Sequence, residues 1–167
     1  MKKIALLILV LVFVTACTTQ KETTMNSADI LIETNKGNFS IALYDDTPIT
    51  KANFISLVQS QFYDGLTFHR YEPGFVIQGG DPNGDGTGGS EKTIPLEIVS
   101  GKSHSRGTVG MARSSDPNSA SSQFFVNLVD NTFLDNQYTV FGEVTEGMDV
   151  VDSLRAGDKM IKVEIIS

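Results

Sequence analysis

Ile30, Ile32 and Thr34 alternate with Leu31 and Glu33, the two-residue period of a strand that lays one face on a core. Asn35-Lys36-Gly37 supplies a turn, and Asn38 to Tyr44 alternates again, so the globular part is expected to open with a β-hairpin. At Asp46-Thr47-Pro48 the pattern changes. Thr47 suits a helix N-cap, and Pro48 suits the first helical position, where a missing N–H costs nothing. A helix is therefore predicted from Pro48 to about Gln59, with Ala52, Ile55 and Val58 along one face, joined by Phe54 or Leu57. Short apolar runs follow at Leu66–His69, Phe75–Gln78, Thr108–Ala112, Gln123–Leu128 and Tyr138–Val144, each bounded by Gly, Pro, Asn or Asp. Thr145 to Leu154 reads as a second short helix and Ile161 to Ile166 as a closing strand. Many short strands separated by turn signals predict an antiparallel sandwich or barrel, and the pattern does not choose between them. No internal repeat and no second-domain boundary interrupts the series.

The N-terminal residues follow a different pattern. Met1-Lys2-Lys3 is a basic head, and Ile4 to Val14 is an unbroken apolar run of 11 residues. That is short of the ~20 a membrane-spanning helix needs and has the length of a signal-peptide core. Val14-Thr15-Ala16-Cys17 resembles the lipobox of secreted lipoproteins, so residues 1–17 are expected to be a signal peptide whose cleavage leaves a lipid-modified Cys17. Acyl chains there would anchor the protein to a membrane surface outside the cytoplasm without spanning it. A plain cleaved signal peptide, giving a soluble exported or periplasmic protein, is the alternative. Thr18 to Ala28 is polar and aperiodic and reads as a flexible tether, leaving residues 29–167 as one domain. Cys17 is the only cysteine, so the chain cannot form an intramolecular disulfide.

Charge narrows the partners. The chain holds 13 basic and 20 acidic residues. Without Lys2 and Lys3 the balance is 11 against 20, a net of −9. An acidic domain with no basic run argues against nucleic acid and against electrostatic binding to anionic lipid.

Two motifs look sharper than they are. Gly84, Gly86 and Gly89 fit G-x-G-x-x-G, but the residues that follow, Ser90 to Pro95, do not start the helix a dinucleotide site requires. Asp81, Asn83, Asp85 and Gly86 match the first half of an EF-hand loop, yet Lys92 stands where the bidentate Glu belongs. Both are read as a glycine-rich surface loop whose Asp and Asn serve turn geometry. His69 and His104, the only histidines, fall in no nucleophile or zinc motif. His69, between Phe68 and Arg70, is expected to be packed and hydrogen-bonded. The serine-rich stretch Ser114–Ser122 reads as a turn-forming loop, and the formal sequon Asn38-Phe39-Ser40 is discounted because it falls in a predicted strand.

The stretch that points to chemistry is FHRYEPGFVIQGGD (Phe68–Asp81), followed by SSQFFV (Ser121–Val126). It places Arg70, a cation that stays protonated, beside an apolar patch with Gln78 close by. With GTVGMAR (Gly107–Arg113), FLDNQYTVFGEV (Phe133–Val144) and EGMDVVD (Glu146–Asp152), in order across nearly all of residues 29–167, it closely resembles the cyclophilin family of peptidyl-prolyl cis/trans isomerases, in a prokaryotic-like form. The resemblance implies a mainly β fold: a closed eight-stranded antiparallel β-barrel capped by two α-helices, with the active-site groove on its outside. It implies Arg70 as the catalytic arginine and Gln78 as the glutamine that orients it and the substrate backbone. Phe75, Val76, Phe125 and Leu134 match the pocket for the proline ring, with valine where many members have methionine. Ala112 and Arg113 match the stretch that pairs with extended substrate, and Gln123 lines the neighbouring groove. Phe133 and Tyr138 stand where the best-known eukaryotic members carry tryptophan and histidine, and the missing indole N–H implies weakened cyclosporin binding. No metal or other cofactor is implied, the partners are proline-containing polypeptides, and a monomer is expected. Outside that joint order, Arg70 would be a surface arginine and the pocket residues ordinary core. A non-catalytic proline-peptide-binding chaperone or scaffold of the same fold is the alternative function, one in which Arg70 has no evident use.

Overall fold

The computed structural model describes residues 29–166, so the signal peptide, Cys17 and the tether lie outside the described residues. Alternation at the start of the domain becomes the hairpin β1 (Asp29–Thr34) and β2 (Gly37–Leu43), paired from Asp29↔Ala42 to Thr34↔Gly37. Ile30 and Ile32 from β1 and Phe39, Ile41 and Leu43 from β2 are fully buried or nearly so. After helix α1 (Pro48–Gln59) come β3 (Arg70–Glu72), β4 (Val76–Gly79), β5 (Thr108–Met111), β6 (Phe124–Asn127), β7 (Val140–Glu146), helix α2 (Met148–Ser153) and β8 (Met160–Ile165). All eight strands form one antiparallel sheet in the order β3-β4-β6-β5-β7-β2-β1-β8.

The expected closed barrel is corrected by this order. The sheet is an open half-barrel, because no ladder joins its end strands β3 and β8. An isolated bridge, Thr67 to Lys159, with backbone hydrogen bonds between residues 65–68 and 157–160, links the segments that lead into them. Antiparallel register from that bridge sets each end strand opposite a turn rather than opposite the other strand. β8 meets residues 61–65, where Asp64 Oδ1 accepts the Val163 N–H at 2.9 Å, and a side chain thus satisfies an edge donor that a strand would have taken. The run Leu66–His69 is accordingly not a strand beyond Thr67.

Helix α1 spans the predicted residues with Pro48 in its first turn. Its cap and its buried face differ from expectation. Thr47 sits at the N-cap position, but its hydroxyl makes no cap and lies 3.5 Å from the Tyr44 carbonyl. Instead the Glu97 carboxylate, reaching in from a distant loop, accepts the N–H groups of Ile49 (3.1 Å) and Thr50 (2.6 Å) and the Thr50 hydroxyl (2.6 Å). A negative charge there complements the positive end of the helix dipole. The buried face carries Thr50, Phe54 and Val58, four residues apart, while Ala52 is exposed. Fully burying a phenylalanine is worth about 1.5–3 kcal/mol, so Phe54 sets the rotation of the helix. Its ring centroid lies 4.9 Å from Tyr63, 5.2 Å from Phe141 and 5.5 Å from Phe124.

The second helix is shorter than the Thr145–Leu154 segment predicted for it because β7 continues to Glu146. Between them Gly147 takes φ 77° against the backbone of Asn38 and Phe39, where a Cβ would lie 2.8 Å from the Phe39 Cα, so only glycine fits this switch from strand to helix.

Candidate functional site

Three strands deliver the site by their alternation. In β4, Ile77 points into the core, while Val76 and Gln78 point the other way, and Gln78 is only partly buried. In β6, Phe124 and Val126 join the core and Phe125 joins Val76 in a second, smaller apolar cluster with Leu134. Phe75, Ala112 and Tyr138 pack on that cluster from the ends of β4, β5 and the turn after Leu134. Register aligns the polar residues: Arg70 in β3 faces Gln78 in β4, and Gln78 faces Phe125 in β6.

The outcome is a cavity of about 310 Å³ lined by Arg70, Phe75, Val76, Gln78, Ala112, Arg113, Phe125, Leu134 and Tyr138. A second cavity, of about 250 Å³, adjoins it across Gln78, Ala112 and Arg113 and is lined further by Gln123, Ser119, Ser121 and the Gly86–Gly88 loop. Thus nine of the eleven pocket and groove residues expected from sequence line one concavity, and Gln123 lines its neighbour. Phe133 stands apart: it is 63% exposed and stacks on the Phe75 ring at 5.7 Å, forming a rim rather than a wall.

Arg70 is held at the mouth by a chain of amides. Its Nη1 donates to Gln78 Oε1 at 3.3 Å, Gln78 Nε2 donates to Gln123 Oε1 at 2.8 Å, and Gln123 Nε2 donates to the carbonyls of Gly86 (3.0 Å) and Gly88 (2.7 Å). Each glutamine offers oxygen one way and nitrogen the other, so the chain has one sense and the guanidinium one orientation. The Arg70 guanidinium also lies 5.5 Å from the Phe75 ring centroid and 3.7 Å from Glu72 Oε2. Arg113 arches across the other side. It donates to the carbonyls of Gln137 and Ser114 and stacks its guanidinium 4.7 Å from the Tyr138 ring.

Several residues that sequence reasoning passed over support this concavity. Gly110 in β5 lies flat beneath Phe125, and a Cβ there would collide with the phenyl ring. A lone glycine within an apolar strand run is a signal of close approach, and it was available. His104 is fully buried, stacks on Phe125 with ring centroids 5.8 Å apart and planes 15° apart, and meets Asp135 Oδ1 through Nδ1 at 3.1 Å. Burial lowers its pKa from the ordinary value of 6.5 against the opposing pull of Asp135, so it is neutral near pH 7. Asn131, also buried, donates to the Phe75 carbonyl (3.1 Å) and to Asn127 Oδ1 (2.8 Å), and Asn127 donates to Thr108. No spacing in the sequence marks either residue.

The nearby motifs resolve into structure. Asp81 turns inward and accepts the N–H groups of Asn83 (2.9 Å), Asp85 (3.1 Å) and Gly86 (2.5 Å), the turn role expected of it. Those bonds outweigh burial and hold its carboxyl below the usual range. His69 departs from expectation: it is packed, but neither ring nitrogen has a hydrogen-bond partner among the described residues, and burial lowers its pKa.

With this geometry in view, residues 29–166 match the model of the cyclophilin type peptidyl-prolyl cis-trans isomerases, and the chain belongs to that family. A peptidyl-prolyl cis-trans isomerase of Synechococcus elongatus is 45% identical over 140 residues, covering 82% of this chain and 95% of the relative. One of Helicobacter pylori is 42% identical over 143 residues, covering 83% and 88%. Among solved structures, a cyclophilin type peptidyl-prolyl cis-trans isomerase of Cryptosporidium parvum superposes with a TM-score of 0.79 at 28% identity, covering 84% of this chain and 98% of that one. The same protein in the presence of the dipeptide Ala-Pro gives 0.78 at 29% identity, covering 83% and 99%.

Proposed function

We propose that this isomerase acts on X-Pro bonds of exported proteins, with Arg70 stabilising the twisted amide and the Phe75, Val76, Phe125 and Leu134 cavity holding the proline ring. The observation that carries the reading is the guanidinium of Arg70, fixed through Gln78 and Gln123 at the mouth of an apolar cavity of about 310 Å³. Rotation of an X-Pro bond crosses a barrier of about 18–20 kcal/mol set by amide resonance, and uncatalysed it takes roughly 10–100 s at 25 °C. Halfway round, resonance is lost, and the prolyl nitrogen gains a localised lone pair that the planar amide lacks. A donor aimed at that nitrogen binds the twisted state more strongly than either planar one, which is the requirement for catalysis. Arginine suits the task because it stays charged and its fork of donors is rigid. The apolar walls fix the ring while the carbonyl side turns, and they displace water that would favour the more polar planar amide.

Phe133 supplies no indole N–H at the rim, so cyclosporin binds weakly. Upstream, the Val14–Cys17 sequence supports export and a lipid anchor on Cys17. Mass spectrometry of the mature protein is expected to find acylated Cys17 as its first residue, and an unmodified N-terminus elsewhere would reject the anchor. The catalytic reading is tested by a protease-free prolyl isomerisation assay on wild type and Arg70→Ala. The variant should lose about 10²–10³ in kcat/KM, the scale for removing a transition-state donor, with proline-peptide binding largely kept. Equal rates for the two proteins would sink the mechanism, and wild type no faster than the uncatalysed reaction would favour a non-catalytic binder.

A further inference from the structure

His104 contributes no atom to either cavity, yet it touches the pocket's walls from behind. Its ring is stacked on Phe125 at 5.8 Å and meets Tyr138 edge-on at 6.4 Å and 85°. Through Nδ1 (3.1 Å) and its backbone N–H (2.8 Å) it reaches the Asp135 carboxylate, which also accepts the Ser103 hydroxyl at 2.7 Å. Asp135 directly follows Leu134, a wall of the cavity, in the chain. The His104 carbonyl accepts the Asn131 N–H at 2.7 Å, and the Asn131 side chain in turn holds the carbonyl of Phe75 at 3.1 Å. One buried residue thus reaches Phe125, Tyr138, Leu134 and Phe75 by four separate routes.

The chemistry of the slot argues that more than packing is at stake. His104 Nε2 is buried with no hydrogen-bond partner among the described residues, and an unsatisfied buried acceptor costs stability. A phenyl ring would fill the slot and stack on Phe125 without that cost. What a phenyl ring cannot do is donate to Asp135 and hold the 132–138 turn against the wall. We propose that His104, with Asp135, is a positioning residue for the proline pocket: its imidazole backs Phe125 while its Nδ1–H tethers the turn that carries Leu134 and Tyr138. This rests on the pocket reading given above. Because the walls hold the ring in planar and twisted states alike, loosening them weakens uniform binding, which raises KM and leaves kcat nearly unchanged. Loss of Arg70 does the opposite.

Three substitutions in the full chain separate the two contacts. His104→Asn keeps a donor near Asp135 and removes the ring behind Phe125; KM for a proline tetrapeptide should rise about fivefold, the size of one aromatic pair, with kcat within about twofold. His104→Phe keeps a ring and the backbone N–H bond to Asp135 but removes the Nδ1–H bond, with a smaller rise in KM. Asp135→Ala leaves the His104 ring in place, removes a partly exposed side chain together with all three hydrogen bonds to its carboxylate, and should raise KM at least as much as His104→Phe does, which keeps the test open if either His104 variant fails to fold. Ile32→Ala, in the core of β1 towards the other end of the sheet, controls for general destabilisation and should lower the melting temperature without moving KM. Unchanged KM in His104→Asn and Asp135→Ala, or an equal rise in Ile32→Ala, would overturn the positioning role. If Phe125→Ala also left KM and peptide binding unaltered, the pocket reading itself would fall.

Discussion

The described residues form two apolar clusters that share strands yet obey different rules. The larger one, around Phe54, Phe124 and Phe141, fills the concave side of the sheet with side chains almost wholly out of solvent. The smaller one, Val76, Phe125 and Leu134 with Phe75, Ala112 and Tyr138, is also largely buried but leaves a cavity open on one side. Adjacent residues of β6, Phe124 and Phe125, belong one to each. The core is closed by packing on all sides. The pocket has its final wall missing, and polar residues at its mouth, Arg70 and Gln78, occupy the positions where a core would place more apolar bulk. A binding cavity can thus be made from ordinary strand alternation if one face is backed by rigid groups, here Gly110 and His104, and the other is left for a ligand.

The sharpest way to break that comparison is to truncate the two neighbours in turn. Phe124→Ala should cost about 3–5 kcal/mol of stability, as for large core truncations, and the loss should appear in urea unfolding. Phe125→Ala should cost less, since one side of that ring already faces the cavity, while proline-peptide affinity measured by titration falls about tenfold, near 1.4 kcal/mol. Equal stability losses with unchanged affinity would mean that the two clusters are one. Gly110→Ala comes next. Its Cβ collides with the Phe125 ring, overpacking costs about 1–3 kcal/mol, and the ring's only free direction is into the cavity, so calorimetry should show weaker peptide binding. Arg70→Lys keeps the charge but loses the fork of donors. We expect a loss of about tenfold in kcat/KM, near 1.4 kcal/mol, with an unaltered melting temperature because the side chain is 44% exposed.

The smallest effect is a pH dependence. Burial lowers the pKa values of His69 and His104 below 6.5. The unfolded chain therefore takes up protons before the folded one does, and stability falls as pH drops below 6.5, levelling off beneath the folded values. Asp81 and Asp135 are lowered from 3.8, so their contribution is present above that value and lost further down, as pH falls through their folded pKa values. Urea midpoints taken from about pH 8 to pH 5 isolate the histidines. His104→Asn should flatten part of that slope, and an unchanged slope would place the dependence on His69.

Much of this was legible in the chain because alternation is local. The β1–β2 hairpin, the span of helix α1 and most later strands followed from periodicity and turn residues, and the order of motifs around Arg70 assembled the pocket list. What was not legible depends on partners distant in sequence. Glu97 caps a helix that begins 49 residues earlier, and nothing near Glu97 announces it. Even spacing predicts a face through Ala52, Ile55 and Val58, whereas buried area decides the rotation and turns Thr50, Phe54 and Val58 inward. The sheet stays open because of an offset set by one bridge, Thr67 to Lys159, which no spacing encodes. His104 carries no local signal, since its neighbours Ser103 and Ser105 give it no pattern, while its contacts are a ring and a carboxylate more than twenty residues away.

The pairing of β1 with β8 carries a consequence for the order of events during synthesis. Ile30 lies beside Ile165 and Ile32 beside Val163, so the first strand made waits for the last. A chain emerging from its N-terminus cannot seat Met160 and Val163, both core residues, until β8 has been made. Such long-range pairing is intrinsically slow to form. Until then the apolar faces of β1 and β2 lack their final neighbour, and the isomerase passes through an interval of exposure of its own.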